Sequence, residues 1–183
     1  MTRSRTIAAR KPSALSTEPA APASAAPAGV TPAPTQLAVH VRAAQAADIG
    51  QVIAIDAEVT GFDKTDYWYE VYQRYGASRT RQRLFLVAES EGAVQGFVIG
   101  EVRDWEFGSP PCGWVFAISV RRGARLAGLG TRLLQAVCDG FRYAGVSQVR
   151  TLVALDNTLV LSFFRSQGMR AAPAIILEKA LDR

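Results

Sequence analysis

Arg125-Leu126-Ala127-Gly128-Leu129-Gly130, running straight into Thr131-Arg132-Leu133-Leu134-Gln135-Ala136-Val137, is the stretch that decides how this 183-residue chain is read. In front of it stands an apolar run, Trp114-Val115-Phe116-Ala117-Ile118-Ser119-Val120. Behind it Leu129, Leu133, Leu134, Val137 and Phe141 recur at helical spacing. The order is therefore strand, basic glycine loop, helix. Gly128 and Gly130 carry no Cβ, so the backbone can turn tightly and lie close to a ligand. The free N–H groups of the helix's first turn point at whatever the loop holds. With the positive end of the helix dipole and with Arg121, Arg122, Arg125 and Arg132 nearby, the site suits an anion, a phosphate above all.

The commoner phosphate loops do not fit. No Gly-Lys-Ser/Thr ending follows, and no Gly-x-Gly-x-x-Gly opens a series of βαβ units. What remains, Arg125-x-x-Gly128-x-Gly130, resembles the acetyl-CoA pyrophosphate loop of the GCN5-related N-acetyltransferases, the GNAT superfamily. The alternative for this stretch by itself is a tight turn packed on its own helix.

Composition bounds the rest. Hydrophobic residues make up 49% and charged residues 20%, as expected of one soluble globular domain. No apolar run is long enough to span a bilayer. Cys112 and Cys138 match no metal or redox spacing, and His40 is the only histidine, so no metal site is expected. The net charge is +5. Arg3, Arg5, Arg10 and Lys11 against Glu18 place roughly three of those charges in residues 1–38. No nucleic-acid module accompanies them, so neither nucleic acid nor membrane is expected as a partner.

Residues 1–38 are rich in Ala and Pro and contain no aromatic residue, so they read as a disordered tail. The basic, acid-poor start is either a transit-peptide-like segment or simply tail, and tail is the reading adopted. A cytoplasmic location is expected. Val39 to Arg42 reads as a strand, followed by a helix capped by Asp48 with Ile49, Val52 and Ile53 buried. A second helix runs to about Tyr75 and carries Tyr67, Trp68, Tyr69, Tyr72 and Tyr75. These aromatics are either core packing or a wall of an acceptor pocket. Leu84 to Ala88 and Val94 to Val102 form a hairpin about Ser90-Glu91-Gly92. Val149 to Ala154 is a further strand, Thr158 to Gln167 a helix, and Ala174 to Leu177 a final strand.

Arg42 to Val52 looks like the usual opening of a GNAT domain, and Asn157 to Met169 resembles the superfamily's second motif. The resemblance thus covers residues 39 to about 180, with its motifs in the expected order. It implies an α/β (α+β) fold, a single GNAT-like domain over residues 39–183. Its mixed central sheet is splayed between the fourth and fifth strands and flanked by helices. It further implies acetyl-CoA as co-substrate. The pantetheine arm would pair with the backbone of Ile118 and Val120. The pyrophosphate would sit on the amides of Leu126, Gly128, Gly130 and Thr131 beside Arg125, and Asn157 would touch the arm. The implied reaction is direct acetyl transfer to a small-molecule or protein amine, by a chain that forms a homodimer in many such folds.

The chain departs from the family at two positions. Phe164 stands where many relatives have a proton-donating tyrosine, and Trp114 to Val120 carries no carboxylate base. Glu101, at a strand end that borders the acceptor site in such folds, is the candidate base, or else a solvated strand-end charge. Asp104, Glu106, Tyr69, Tyr72 and water are the other candidates. Two further readings stay open. One is a non-catalytic acyl-CoA-binding or regulatory domain. The other is an interaction module with a recruiting tail.

Overall fold

The structure is a computed structural model that describes residues 38–77 and 80–181, leaving out the side chains of residues 125–127. The expected tail over residues 1–38 lies outside the described residues except for Ala38. Five strands form one sheet in sequence order: β1 (Val39–Ala43), β2 (Arg83–Ser90), β3 (Ala93–Arg103), β4 (Cys112–Val120) and β5 (Val149–Thr151). The first four pair antiparallel with their neighbours, and β5 joins β4 in parallel. The β2–β3 hairpin turns on Glu91 and Gly92, both with positive φ, the twist that a two-residue hairpin loop requires.

Helices α1 (Ile49–Thr60) and α2 (Thr65–Tyr72) cover one face of the sheet. Ile49, Val52, Ile55, Trp68 and Val71 pack there on Phe85, Val87, Phe97 and Ile99. Helix α3 (Leu129–Tyr143) and helix α4 (Thr158–Ser166) build the other face. There Leu133, Leu134, Val137, Phe141 and Phe164 meet Val98, Val115 and Ala88. The period-two alternation of β3 feeds both cores, because successive side chains leave opposite faces. Phe141 is fully buried, and a Cβ on Gly113 would run into its ring, so α3 can approach β4 only at a glycine.

Four sequence expectations change here. Asp48 does not cap α1 with its side chain. Its carboxylate accepts the Gln45 N–H (2.7 Å) and two bonds from Arg42 (2.7 and 2.9 Å), so it ties β1 to the turn ahead of α1. The strand expected over Val149–Ala154 stops at Thr151. The expected strand Ala174–Leu177 does not form, and Ile175, Ile176 and Leu177 are exposed, because no strand among the described residues pairs with them. The segment Arg122–Ala127 is wound into 3-10 turns instead of open loop.

Candidate functional site

The site grows out of the parting of β4 and β5. Only Gly113, Trp114 and Val115 are in register with β5. The last link is the Thr151 hydroxyl, which donates to the Val115 carbonyl at 2.7 Å. Beyond it β4 continues for five residues with β3 on one side and, among the described residues, no strand on the other. Between Val115 and Ala117, both paired to β3, Phe116 has no partner, so β4 carries a bulge where the parting begins. Past the bulge, the Arg121 N–H donates to Gln95 O across β3 at 2.9 Å. Strand alternation then turns the N–H and C=O of Val120 and Ile118 the other way, into the gap. This half of β4 thus offers a row of backbone donors and acceptors with no strand partner among the described residues, the kind of edge that an extended chain can pair with.

At the end of β4 the chain makes its 3-10 turns and reaches Gly128, whose φ of 69° is the left-handed conformation that glycine adopts without strain. α3 starts at the next residue, and its first intrahelical bond runs from Arg132 N to Gly128 O at 3.2 Å. The amides of Leu129, Gly130 and Thr131 precede that bond and have no helical acceptor. Gly130 lies under α4, since a Cβ there would stand 3.2 Å from the Phe163 ring. The Arg125 and Leu126 side chains lie outside the described residues. Arg121 and Arg122, expected beside the anion, are engaged elsewhere. Arg121 donates to Glu58 (2.8 Å) and to Val94 O (3.2 Å), and Arg122 donates to Glu58 O (2.8 Å). They brace the turn against the end of α1. Asn157 begins α4, and its Oδ1 accepts the Val160 N–H at 3.2 Å.

A cavity of about 340 Å³ opens beside the bulge. Its floor is β4 from Val115 to Ser119, with Thr151 and Leu152 across the gap and Val160 and Phe164 from α4. Its far wall comes from α1, α2 and the residue just before α2: Asp56, Val59, Lys64, Tyr67 and Trp68. The aromatic cluster is divided between the core and the cavity wall. Trp68 is buried against Phe97, with ring centroids 5.0 Å apart, and it also lines the cavity. Tyr67 lines it half-exposed, whereas Tyr69 and Tyr72 do not line it. Phe164 does line it, so the ring that stands in place of a tyrosine faces the cavity without a proton to give.

Glu101 is not among the lining residues. It accepts from the Tyr75 hydroxyl at 2.9 Å and pairs with Arg103 at 3.0 Å. The π-turn Gln73–Ala77, which continues α2, carries Tyr75 to this spot. The Tyr75 ring packs on Phe116, with centroids 5.1 Å apart. Burial, and then the bond to Glu101, raise the Tyr75 phenol above the ordinary tyrosine value, so it stays a donor at neutral pH. The sequence reading missed Asp56, the one carboxylate in the cavity wall among the described residues. The signal was present, because Ile49, Val52 and Asp56 fall on one stripe of α1 and so place a carboxylate on its buried face.

The model of the acetyltransferase (GNAT) family matches residues 50–169. The chain belongs to that family. Among relatives of this GNAT chain is the L-2,4-diaminobutyric acid acetyltransferase of Nocardia farcinica, 29% identical over 144 residues, 78% of this chain and 70% of that protein. Its fold is that of solved GNAT enzymes. The aminoglycoside N-acetyltransferase AAC(6')-Iy, solved in complex with CoA, superposes with a TM-score of 0.71 at 16% identity. That match covers 81% of this chain and 98% of the other. The glucosamine-6-phosphate N-acetyltransferase of Arabidopsis thaliana gives 0.62 at 17% identity over 79% and 99%. Among the described residues no helix is long and apolar enough to cross a membrane, and no cluster of three metal-ligating side chains occurs.

Proposed function

We propose that this GNAT chain transfers the acetyl group of acetyl-CoA directly to the amine of a small molecule. The observation that carries the reading is the strandless half of β4 leading directly into the Gly128 turn and the N-terminus of α3. In this reading Ile118 and Val120 pair with the pantetheine arm through their backbone. The amides of Leu126, Gly128, Gly130 and Thr131, with the charge of Arg125 and the α3 dipole, hold the pyrophosphate. Asn157, its Oδ1 already used, offers its amide N–H₂ to the arm. Bound acetyl-CoA supplies the acetyl group as a thioester. The acceptor nitrogen bonds to the carbonyl carbon, the C–S bond breaks, the amine gives up a proton and the CoA sulfur gains one. The bulge at Phe116 interrupts the pairing with β3 next to the gap, and in this reading a backbone N–H there holds the developing oxyanion.

Glu101 serves as the base at one remove, taking the proton through water past Tyr75 and Phe116. Phe164 cannot protonate the thiolate, so water in the open cavity does. This reading keeps the expected cytoplasmic location, which the need for acetyl-CoA supports. The exposed Ile175, Ile176, Leu177 and Leu181 support assembly with a second copy of the chain. The test is release of free CoA thiol from acetyl-CoA with a panel of small amines. Amine-dependent release is expected. Binding of acetyl-CoA without release for any amine would favour the second reading, an acyl-CoA-binding regulatory domain, to which Phe164 and the carboxylate-free β4 point.

A further inference from the structure

The acceptor side of the cavity is built around Asp56. Its residue is 9% exposed, yet it lines the cavity. Trp68 Nε1 donates to Asp56 Oδ2 at 3.0 Å, and Lys64 Nζ lies 2.8 Å from the same oxygen. Among the described residues Oδ1 has no hydrogen-bond partner, and it is not among the buried, sealed-off polar atoms. A carboxylate held by a buried indole, with one oxygen fixed and the other open, is a preorganised acceptor for an ammonium group. Lys64 stands on the same wall, 5.9 Å from the Tyr67 ring centroid, its side chain partly exposed. Its three N–H donors exceed what one carboxylate oxygen uses, which leaves donors for a second anion. The wall therefore offers one negative and one positive group side by side.

We propose that Asp56 and Lys64 read the zwitterionic head of a diamino acid, the ammonium on Asp56 Oδ1 and the carboxylate on Lys64 Nζ. The second amine is then left to face Phe116–Ser119 of β4. The inference rests on the acetyltransferase reading and names its acceptor class. A cavity of about 340 Å³ that also admits a thioester end suits an acceptor of this size. The similarity to a diaminobutyrate acetyltransferase agrees with it.

The test compares L-2,4-diaminobutyrate with 1,3-diaminopropane, which has both amines and no carboxylate. Turnover with acetyl-CoA is measured, together with direct calorimetric titration of each acceptor into the CoA-loaded protein. Trp68 fluorescence reports the same binding, because its indole holds Asp56. The full chain is expected to prefer the diamino acid at least tenfold. Lys64→Met is expected to collapse that ratio toward one. Asp56→Asn, which keeps an oxygen for Trp68, is expected to weaken both acceptors tenfold or more in titration while acetyl-CoA still binds. Equal use of both acceptors by the unaltered chain, or an unchanged ratio in Lys64→Met, overturns the proposal. Acetylation of other amines but neither of these overturns it and leaves the acetyltransferase reading intact. Failure to bind acetyl-CoA at all removes both.

Discussion

At the scale of single residues, charge in this protein is committed pair by pair. Burial works against the Asp48 carboxylate, but the Arg42 guanidinium and the Gln45 N–H outweigh it and hold the group below the ordinary aspartate value of 3.8. A depressed carboxyl pKa stabilises the fold above the unfolded value and loses that contribution as pH falls through the folded one. The difference in melting temperature between the unaltered chain and Asp48→Asn is therefore expected to be full at pH 7 and to start narrowing only as pH falls below about 4. A difference that does not narrow at all with acidification would show that the pair acts through shape and not charge. Glu101 belongs to the same scale. Glu101→Gln is expected to lower turnover roughly tenfold or more while sparing acetyl-CoA affinity, and an unaffected rate would remove it as base. Asp56 illustrates what the sequence concealed. A carboxylate between Ile55 and Ala57 shows its importance only when the stripe of α1 is traced. Its partners on Lys64 and Trp68 are set by how α2 folds back, which no local pattern states.

At the scale of elements, the order strand, glycine turn, helix was readable because strand and helix periods differ and Gly128 separates them. The bulge at Phe116 was not readable. One unpaired residue alters no period in an apolar run, and it exists only relative to the register of β3. The contact of α3 with β4 is similar, since Gly113 looks like a strand interruption until Phe141 is seen lying over it. Gly113→Ala would drive a methyl group into that ring. A loss of about 1–3 kcal/mol in unfolding free energy is expected from denaturant titration. A stability unchanged within error would mean that α3 can retreat from the sheet at no cost. The 3-10 turns before Gly128 depend on Arg121 and Arg122 reaching Glu58 on α1, a contact across more than sixty residues of sequence. The sequence reading gave those arginines to the ligand for want of that partner.

At the scale of the whole molecule, family membership was legible because two separated motifs stood in the right order, and the matched span confirms it. The end of the chain was misread. Ile175-Ile176-Leu177 has strand composition but no strand to pair with among the described residues, and Leu155 and Leu159 are exposed as well. Exposed apolar groups of this kind favour association with a second copy. Sedimentation at micromolar concentration is expected to give a dimer, and Ile175→Asp with Leu177→Asp is expected to shift it to monomer. A monomer in the unaltered chain would end that expectation. Removal of residues 1–38 is expected to leave acetyl-CoA binding unchanged, because every group proposed to hold the cofactor lies between Ile118 and Asn157.

The cofactor site is tested most directly by calorimetric titration of acetyl-CoA, and of CoA, into the unaltered protein and into Gly128→Asp. The substitution puts a negative side chain at the turn proposed to hold the pyrophosphate, at a φ of 69° that aspartate tolerates better than most residues, so the fold should survive it. Micromolar binding to the unaltered chain, lost or weakened more than tenfold in Gly128→Asp, is the expected result. No binding of either ligand to the unaltered chain, or equal binding to both proteins, would contradict the assignment and reduce the Gly128 stretch to a turn that packs on its own helix.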